Sequence, residues 1–205
     1  MPKIKREEVH EFWRNPNTDR YGVPEKFKVI CRQNYYPPLK PVSDMWVGIF
    51  KRFVGPEMSV LELGCSVGRN LYYLDEAGYH NLTGVEINEH APELSRKSFG
   101  DATADRIITS TIEDYLSEPR SFDVVFTSGV LMHIHPDSEW IFAKMAEAAQ
   151  HFLICSEVEA AETTYRFPRN YRKFFEVLGL RQVHEQIATP QSRQTILRVF
   201  TREIE

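Results

Sequence analysis

Two glycines four residues apart, preceded by an acid, are the first feature of this chain with chemical meaning. The run Val60-Leu61-Glu62-Leu63-Gly64-Cys65-Ser66-Val67-Gly68-Arg69-Asn70 reads as a buried strand, a turn and the start of a helix. In an open α/β sheet such a turn lies outside the carboxyl ends of the strands, where ligands bind. Gly64 lets the chain turn sharply and approach a ligand, and Gly68 opens the helix with no Cβ in the way. A dinucleotide fingerprint, G-x-G-x-x-G, would need glycines where Ser66 and Arg69 stand, and a P-loop would need a GK[ST] ending that is missing.

What remains is an acid followed by G-x-x-x-G, which suits a cofactor without a pyrophosphate. S-adenosyl-L-methionine is such a molecule. It carries an ammonium group and a sulfonium, and Glu62 suits that positive charge. A second acid, Glu86, follows Gly64 by 22 residues and ends the next apolar run. A carboxylate there can accept hydrogen bonds from both ribose hydroxyls.

Beyond these acids, His133 and His135 follow a fourth apolar run, FDVVFT from Phe122. Either imidazole could take a proton from an acceptor oxygen, since histidine titrates near neutrality. His135 precedes Pro136 and could instead serve the start of a helix. No third ligand lies nearby in sequence, so no metal is expected. Phe12, Trp13, Tyr21, Tyr35 and Tyr36 could cover a site or pack the N-terminal segment onto the core. Tyr165, Arg166, Arg169, Arg172 and Lys173 form a basic cluster that could hold a carboxylate or phosphate, or simply be solvated.

The elements that must position these groups alternate. Residues 1 to about 40 read as irregular, with some helix at Glu7 to Trp13. Trp46, Ile49, Phe50 and Phe53 share a helical face that Gly55-Pro56 ends. Strands are expected at Met58–Leu63, Leu82–Ile87, Arg106–Thr109, Phe122–Thr127 and His151–Ser156. Helices are expected at Arg69–Ala77, His90–Phe99, Pro136–Gln150 and around Tyr171–Leu178. Two late strands, Gln182–Ile187 and Thr195–Thr201, leave no room for a crossover helix, so they pair antiparallel. The rest implies a mostly parallel sheet with helices on both faces.

The ordered set resembles the class I S-adenosylmethionine-dependent methyltransferases. ELGCSVGRN is similar to their first motif and GVEIN (Gly84–Asn88) to their ribose-binding segment. TSTIEDY (Thr109–Tyr115) is similar to the segment bordering the adenine, and FDVVFTSGVLMHI to their fourth strand and the loop beyond it. The resemblance spans about Met58 to Gln150. It implies a Rossmann-like seven-stranded sheet, order 3-2-1-4-5-7-6, with strand 7 antiparallel. It implies that Gly64, Cys65 and Ser66, with help from Asn70, line the methionine part. Ile87 would lie by the ribose, Thr111 and Ile112 by the adenine, and Ser128 at the end of strand four. Many relatives carry Asp where Thr111 stands, and Glu113 could replace that contact. His133 occupies a common family histidine position, which implies a catalytic role. Glu11-Phe12-Trp13 and Val130 to Pro136 further resemble methylases associated with pseudaminic acid biosynthesis. On this reading residues 1–41 are an extension that forms a lid, and 42–205 are the methyltransferase domain. Trp13, Tyr36, His135 and Arg166 would face a small-molecule acceptor.

Composition agrees. The chain has 205 residues, enough for one domain, and a formal net charge of -4, which argues against a nucleic-acid substrate. A nucleic-acid methyltransferase acting on base amines would also need N/D-P-P-Y/F after strand four, where Thr127-Ser128-Gly129-Val130 stands. A non-catalytic scaffold of the same fold should have damaged cofactor residues, and Gly64, Gly68 and Glu86 are intact. No signal peptide or membrane span is evident. Cys31, Cys65 and Cys155 form no CxxC pair, so a cytoplasmic protein with reduced thiols is expected.

Overall fold

The computed structural model describes residues 4–14, 36–160, 162–188 and 195–202. Tyr21, Cys31 and Tyr35 lie outside the described residues, as does the side chain of Tyr36. Helix α1 (Arg6–Arg14) is followed by α2 (Tyr36–Phe53), β1 (Val60–Leu63), α3 (Arg69–Glu76) and β2 (Leu82–Glu86). Then come α4 (Ala91–Phe99), α5 (Asp101–Ala104), β3 (Ile107–Thr109), α6 (Ile112–Ser117) and β4 (Phe122–Ser128). Two 3-10 turns (Leu131–His133 and Pro136–Ser138) lead to α7 (Ile141–Ala148), β5 (Ala149–Val158), α8 (Tyr171–Val177), β6 (Leu180–Ile187) and β7 (Thr195–Arg202).

The strands form one sheet, β3-β2-β1-β4-β5-β7-β6, as expected. The first five are parallel, and β7 runs antiparallel to both β5 and β6. Successive residues point to opposite faces, which splits the core in two. Val124 and Phe126 pack with Trp46, Phe50 and Leu74 from α2 and α3. Val125, between them, packs with Phe142 and Met145 from α7 and Phe175 from α8. Parallel register brings the ends of β1, β2 and β4 level: Leu63 lies opposite Val85 and Thr127. The turns after these strands therefore share one rim.

Four elements differ from expectation. Helix α2 starts at Tyr36, inside the stretch expected to be irregular, and contains Pro41. Pro37 and Pro38 occupy its first turn, where a missing N–H costs nothing. Burial of Trp46, Ile49 and Phe50 then carries the helix. The expected helix Pro136–Gln150 is a 3-10 turn followed by the shorter α7, because Ala149 already pairs with Phe122 in the sheet. Helices α5 and α6 were not separately legible. No described helix is long and apolar enough to cross a membrane.

Candidate functional site

The turn after β1 is held by left-handed backbone at Gly64 (φ 72°), Ser66 (φ 52°) and Gly68 (φ 74°). Ser66 is the only non-glycine with positive φ among the described residues. A Cβ at Gly64 would lie 2.5 Å from Val130 Cγ2, so the loop after β4 closes directly over the turn. Side chain and backbone part company at Cys65. Its side chain is buried in the core, and burial pushes its thiol well up.

Glu86 ends β2, and its carboxylate reaches across to this turn. Oε2 accepts from the Ser66 N–H at 2.8 Å, and Oε1 from the Asn88 N–H at 3.0 Å. Burial raises its pKa, and these bonds, with one from the Ile87 N–H, oppose the rise. Glu86, expected from the sequence to meet the ribose, therefore braces the strained Ser66.

Glu62 is fully buried. Its Oε1 accepts from Asn70 Nδ2 at 2.7 Å, whereas Oε2 is buried with no hydrogen-bond partner. Burial raises this carboxyl to about 8. A buried acceptor without a donor is costly, and an ammonium group would complete it. This orphaned oxygen and the Gly64 cradle fit the amino-acid end of S-adenosylmethionine. Asn70 Oδ1 in turn accepts from Ser43 Oγ (3.1 Å) and Arg69 Nη2 (3.2 Å), and Arg69 Nε donates to Ser43 Oγ (3.0 Å). The chain Glu62-Asn70-Ser43 thus ties the first motif to α2. Ser43 went unseen in the sequence, where a serine in a helix carries no signal.

At the adenine position, Thr111 is buried and caps α6: its Oγ1 accepts from the Asp114 N–H at 2.9 Å. Ile112 packs into the core. Glu113 is 2.9 Å from His10 Nε2 on α1. Burial raises the Glu113 carboxyl, but the His10 bond holds it below its usual value. Ser128 Oγ accepts from the buried Trp46 Nε1 at 3.2 Å.

On the acceptor side, His133 Nδ1 lies 2.6 Å from the Tyr165 carbonyl oxygen. A carbonyl only accepts, so Nδ1 carries the proton and Nε2 keeps its lone pair. Burial pushes the His133 pKa down to about 4, against the raising effect of the Tyr165 bond, and the Arg166 charge lowers it further. Trp13 packs on the imidazole with ring centres 4.3 Å apart, and Phe12 stacks on Tyr165 at 4.1 Å. Both nitrogens of His135 have protein partners: Nδ1 accepts from the Asp137 N–H (3.1 Å) and Nε2 donates to the Ile4 carbonyl (3.0 Å). His135 therefore ties the segment leading into α1 to the loop after β4. The basic cluster also divides. Arg169 is buried and serves the Leu131, Ile134 and Phe167 carbonyls and Glu139, while Arg172 pairs with Glu176. Of the cluster, the Tyr165 carbonyl holds His133 and the Arg166 charge lowers its pKa.

Sequence reading missed Glu157, the fully buried acid near the end of β5. Its signal was the one used for Glu62 and Glu86, an acid closing a buried strand.

Residues 60–151 match the family model described as a methyltransferase domain. No curated protein sequence matches the chain. Among solved structures, the chain is similar to magnesium protoporphyrin IX methyltransferase from Synechocystis PCC 6803 with bound S-adenosylhomocysteine. That match has 17% identity and a TM-score of 0.73, and covers 97% of this chain and 100% of the other. It is also similar to 1,6-didemethyltoxoflavin-N1-methyltransferase from Burkholderia thailandensis, at 17% identity and TM-score 0.68, covering 98% and 92% of the two chains. A third likeness is to a putative RNA methyltransferase from Pyrococcus horikoshii, at 14% identity and TM-score 0.60, covering 80% and 83%. Residues 60–151 thus match a methyltransferase domain model, and the chain as a whole shares the fold of these methyltransferase structures.

Proposed function

We propose that the chain transfers the methyl group of S-adenosylmethionine to an oxygen or nitrogen of a small molecule, such as a sugar or another biosynthetic intermediate. The observation that carries this reading is the pairing of two half-sites on one rim. Glu62, Gly64 and Glu86 form the cofactor half, and His133 stands where the loop after β4 closes over it. When bound, S-adenosylmethionine supplies an electrophilic methyl group on a sulfonium. The residues of this chain do the rest. Glu62 Oε2 takes an ammonium donor, and Glu86 takes ribose hydroxyls while holding Ser66. Ile87, Asn88, Thr111, Ile112 and Ser128 border the remainder.

His133 stays neutral at working pH, with Nε2 able to accept an acceptor's proton. Helix α1 is the lid: His135 holds its start, Glu113 holds His10, and Trp13 covers His133. Such cover excludes water and aligns the acceptor. Trp13 and Arg166 are the side chains best placed to meet it, and Tyr36 begins the helix that follows the lid. The small-molecule toxoflavin and magnesium protoporphyrin enzymes share this fold, and the overall charge of -4 disfavours a nucleic acid. Cys65 and Cys155 are buried as free thiols, which suits a reducing cytoplasm.

Calorimetry with S-adenosylmethionine on wild type and Glu86→Ala tests the reading. Wild type should bind, and Glu86→Ala should bind at least about tenfold more weakly, the loss expected for a charged hydrogen-bonding group. A folded wild type that binds neither S-adenosylmethionine nor S-adenosylhomocysteine would sink it.

A further inference from the structure

Residues Gly129 to Ile134 form the loop between the two half-sites. Its first part closes over the cofactor turn, with Val130 packed on Gly64. Its last part is the 3-10 turn Leu131–His133, which carries the acceptor-side imidazole. A loop in this position needs a partner for every buried N–H and C=O group.

Two buried residues, an acid and an arginine, supply several of them. The carboxylate of Glu157 faces the amides. Oε1 accepts from the Val130 N–H (3.0 Å) and from Thr127 Oγ1 (2.9 Å), and Oε2 accepts from the Met132 N–H (3.4 Å). The Leu131 N–H bonds it as well. Arg169 faces the carbonyls, donating to Leu131 (3.4 Å) and Ile134 (2.9 Å). The Phe167 N–H takes the Met132 carbonyl at 2.7 Å. Amides at the start of a 3-10 turn converge on one carboxyl, and their hydrogen bonds oppose the burial that raises its pKa to about 7.

Neutral side chains could have filled this space more cheaply, since an ionised group loses its hydration when buried. What a carboxylate adds is direction: it accepts on both oxygens and donates on neither, so it fits only one register of the loop.

We propose that Glu157 is the positioning residue of the acceptor side, its carboxylate fixing the loop that presents His133 and presses Val130 onto the cofactor turn. The inference rests on the methyltransferase reading for what the loop serves. The bracing itself is independent of that reading.

The test compares wild type with Glu157→Gln, in which one carboxylate oxygen becomes an amide that can only donate. The 15N shifts of the His133 ring, assigned with His133→Asn, report its tautomer and midpoint. In wild type one tautomer should hold, protonated on Nδ1. In Glu157→Gln the tautomer should mix and the midpoint rise by about one pH unit or more as the ring is exposed. S-adenosylhomocysteine affinity should fall about tenfold. A folded Glu157→Gln whose His133 keeps wild-type tautomer and midpoint overturns the proposal. If Glu157→Gln does not fold, wild-type amide exchange decides. Val130 and Met132 amides protected about 100-fold or more support the brace, and amides that exchange as freely as an open loop overturn it. A wild type that binds no S-adenosylhomocysteine would sink the methyltransferase reading, while the His133 and amide readouts would still judge Glu157.

Discussion

Asn70 Nδ2 donates to Glu62 Oε1 at 2.7 Å and leaves Glu62 Oε2 buried without a partner. One oxygen of this carboxylate is engaged by the fold and the other is left over. Burial, helped by the Glu86 charge, outweighs the Asn70 hydrogen bond and the Arg69 charge and raises its pKa to about 8.

The raised pKa ties stability to pH. An acid whose folded pKa lies above its unfolded value near 4.3 keeps its proton longer in the folded state. Its contribution to stability is present at low pH and is lost as pH rises toward about 8. A tenfold change in proton affinity corresponds to about 1.4 kcal/mol, so the loss is on the order of a few kcal/mol. Glu62→Gln should therefore gain stability on wild type between pH 5 and pH 8, while binding S-adenosylhomocysteine about tenfold more weakly. Urea unfolding at the two pH values checks the first part. Parallel pH dependence of the two proteins would refute it.

His133 should give a different profile. Proton abstraction needs the neutral ring, and a folded pKa of about 4 keeps it neutral down to that value. Once an acceptor is turned over, the acid limb of kcat/KM from this group should fall near pH 4, with none near 6.5. His133→Asn should lower kcat about 100-fold or more while changing S-adenosylhomocysteine affinity less than about twofold. An unchanged kcat would assign His133 to bracing alone.

Arg198 tests the far side of the sheet. It is buried on β7 and donates to both oxygens of Glu159 (2.6 and 3.0 Å), to Gln182 Oε1 (2.6 Å) and to Glu185. Arg198→Met strands the mostly buried Glu159, and removing one partner of a buried pair costs about 3 kcal/mol. The Tm should fall by several degrees. A fall within about 1 °C would mean that water replaces the guanidinium.

Gly84 tests how tightly the first motif packs on β2. An added Cβ would lie 2.6 Å from Cys65 Sγ and 2.7 Å from Leu71 Cδ1. Gly84→Ala should cost about 1–3 kcal/mol, as overpacking does. Combining it with Cys65→Ala should recover about 1 kcal/mol in a double-mutant cycle. Strict additivity would show that the strain lies elsewhere.

The strand order followed from the family resemblance, whereas most strands, the turn after β1 and the roles open to Glu62 and Glu86 were legible in the residues themselves. Hydrophobic period, glycine spacing and the place of an acid at a strand end are local properties, and neighbouring residues alone carry them. The start of α2 was hidden because three prolines signal a break, and only the burial of Trp46 and Phe50 against β4 outweighs them. Glu157 and Ser43 were hidden because their partners lie 25 to 30 residues away in the chain. His133 and His135 look alike as an H-x-H pair. Only tertiary structure separates them, by putting the Tyr165 carbonyl on one nitrogen of the first and occupying both nitrogens of the second. A side chain's type states what it can bond. Which of those bonds are already taken is decided by the groups that folding brings to it.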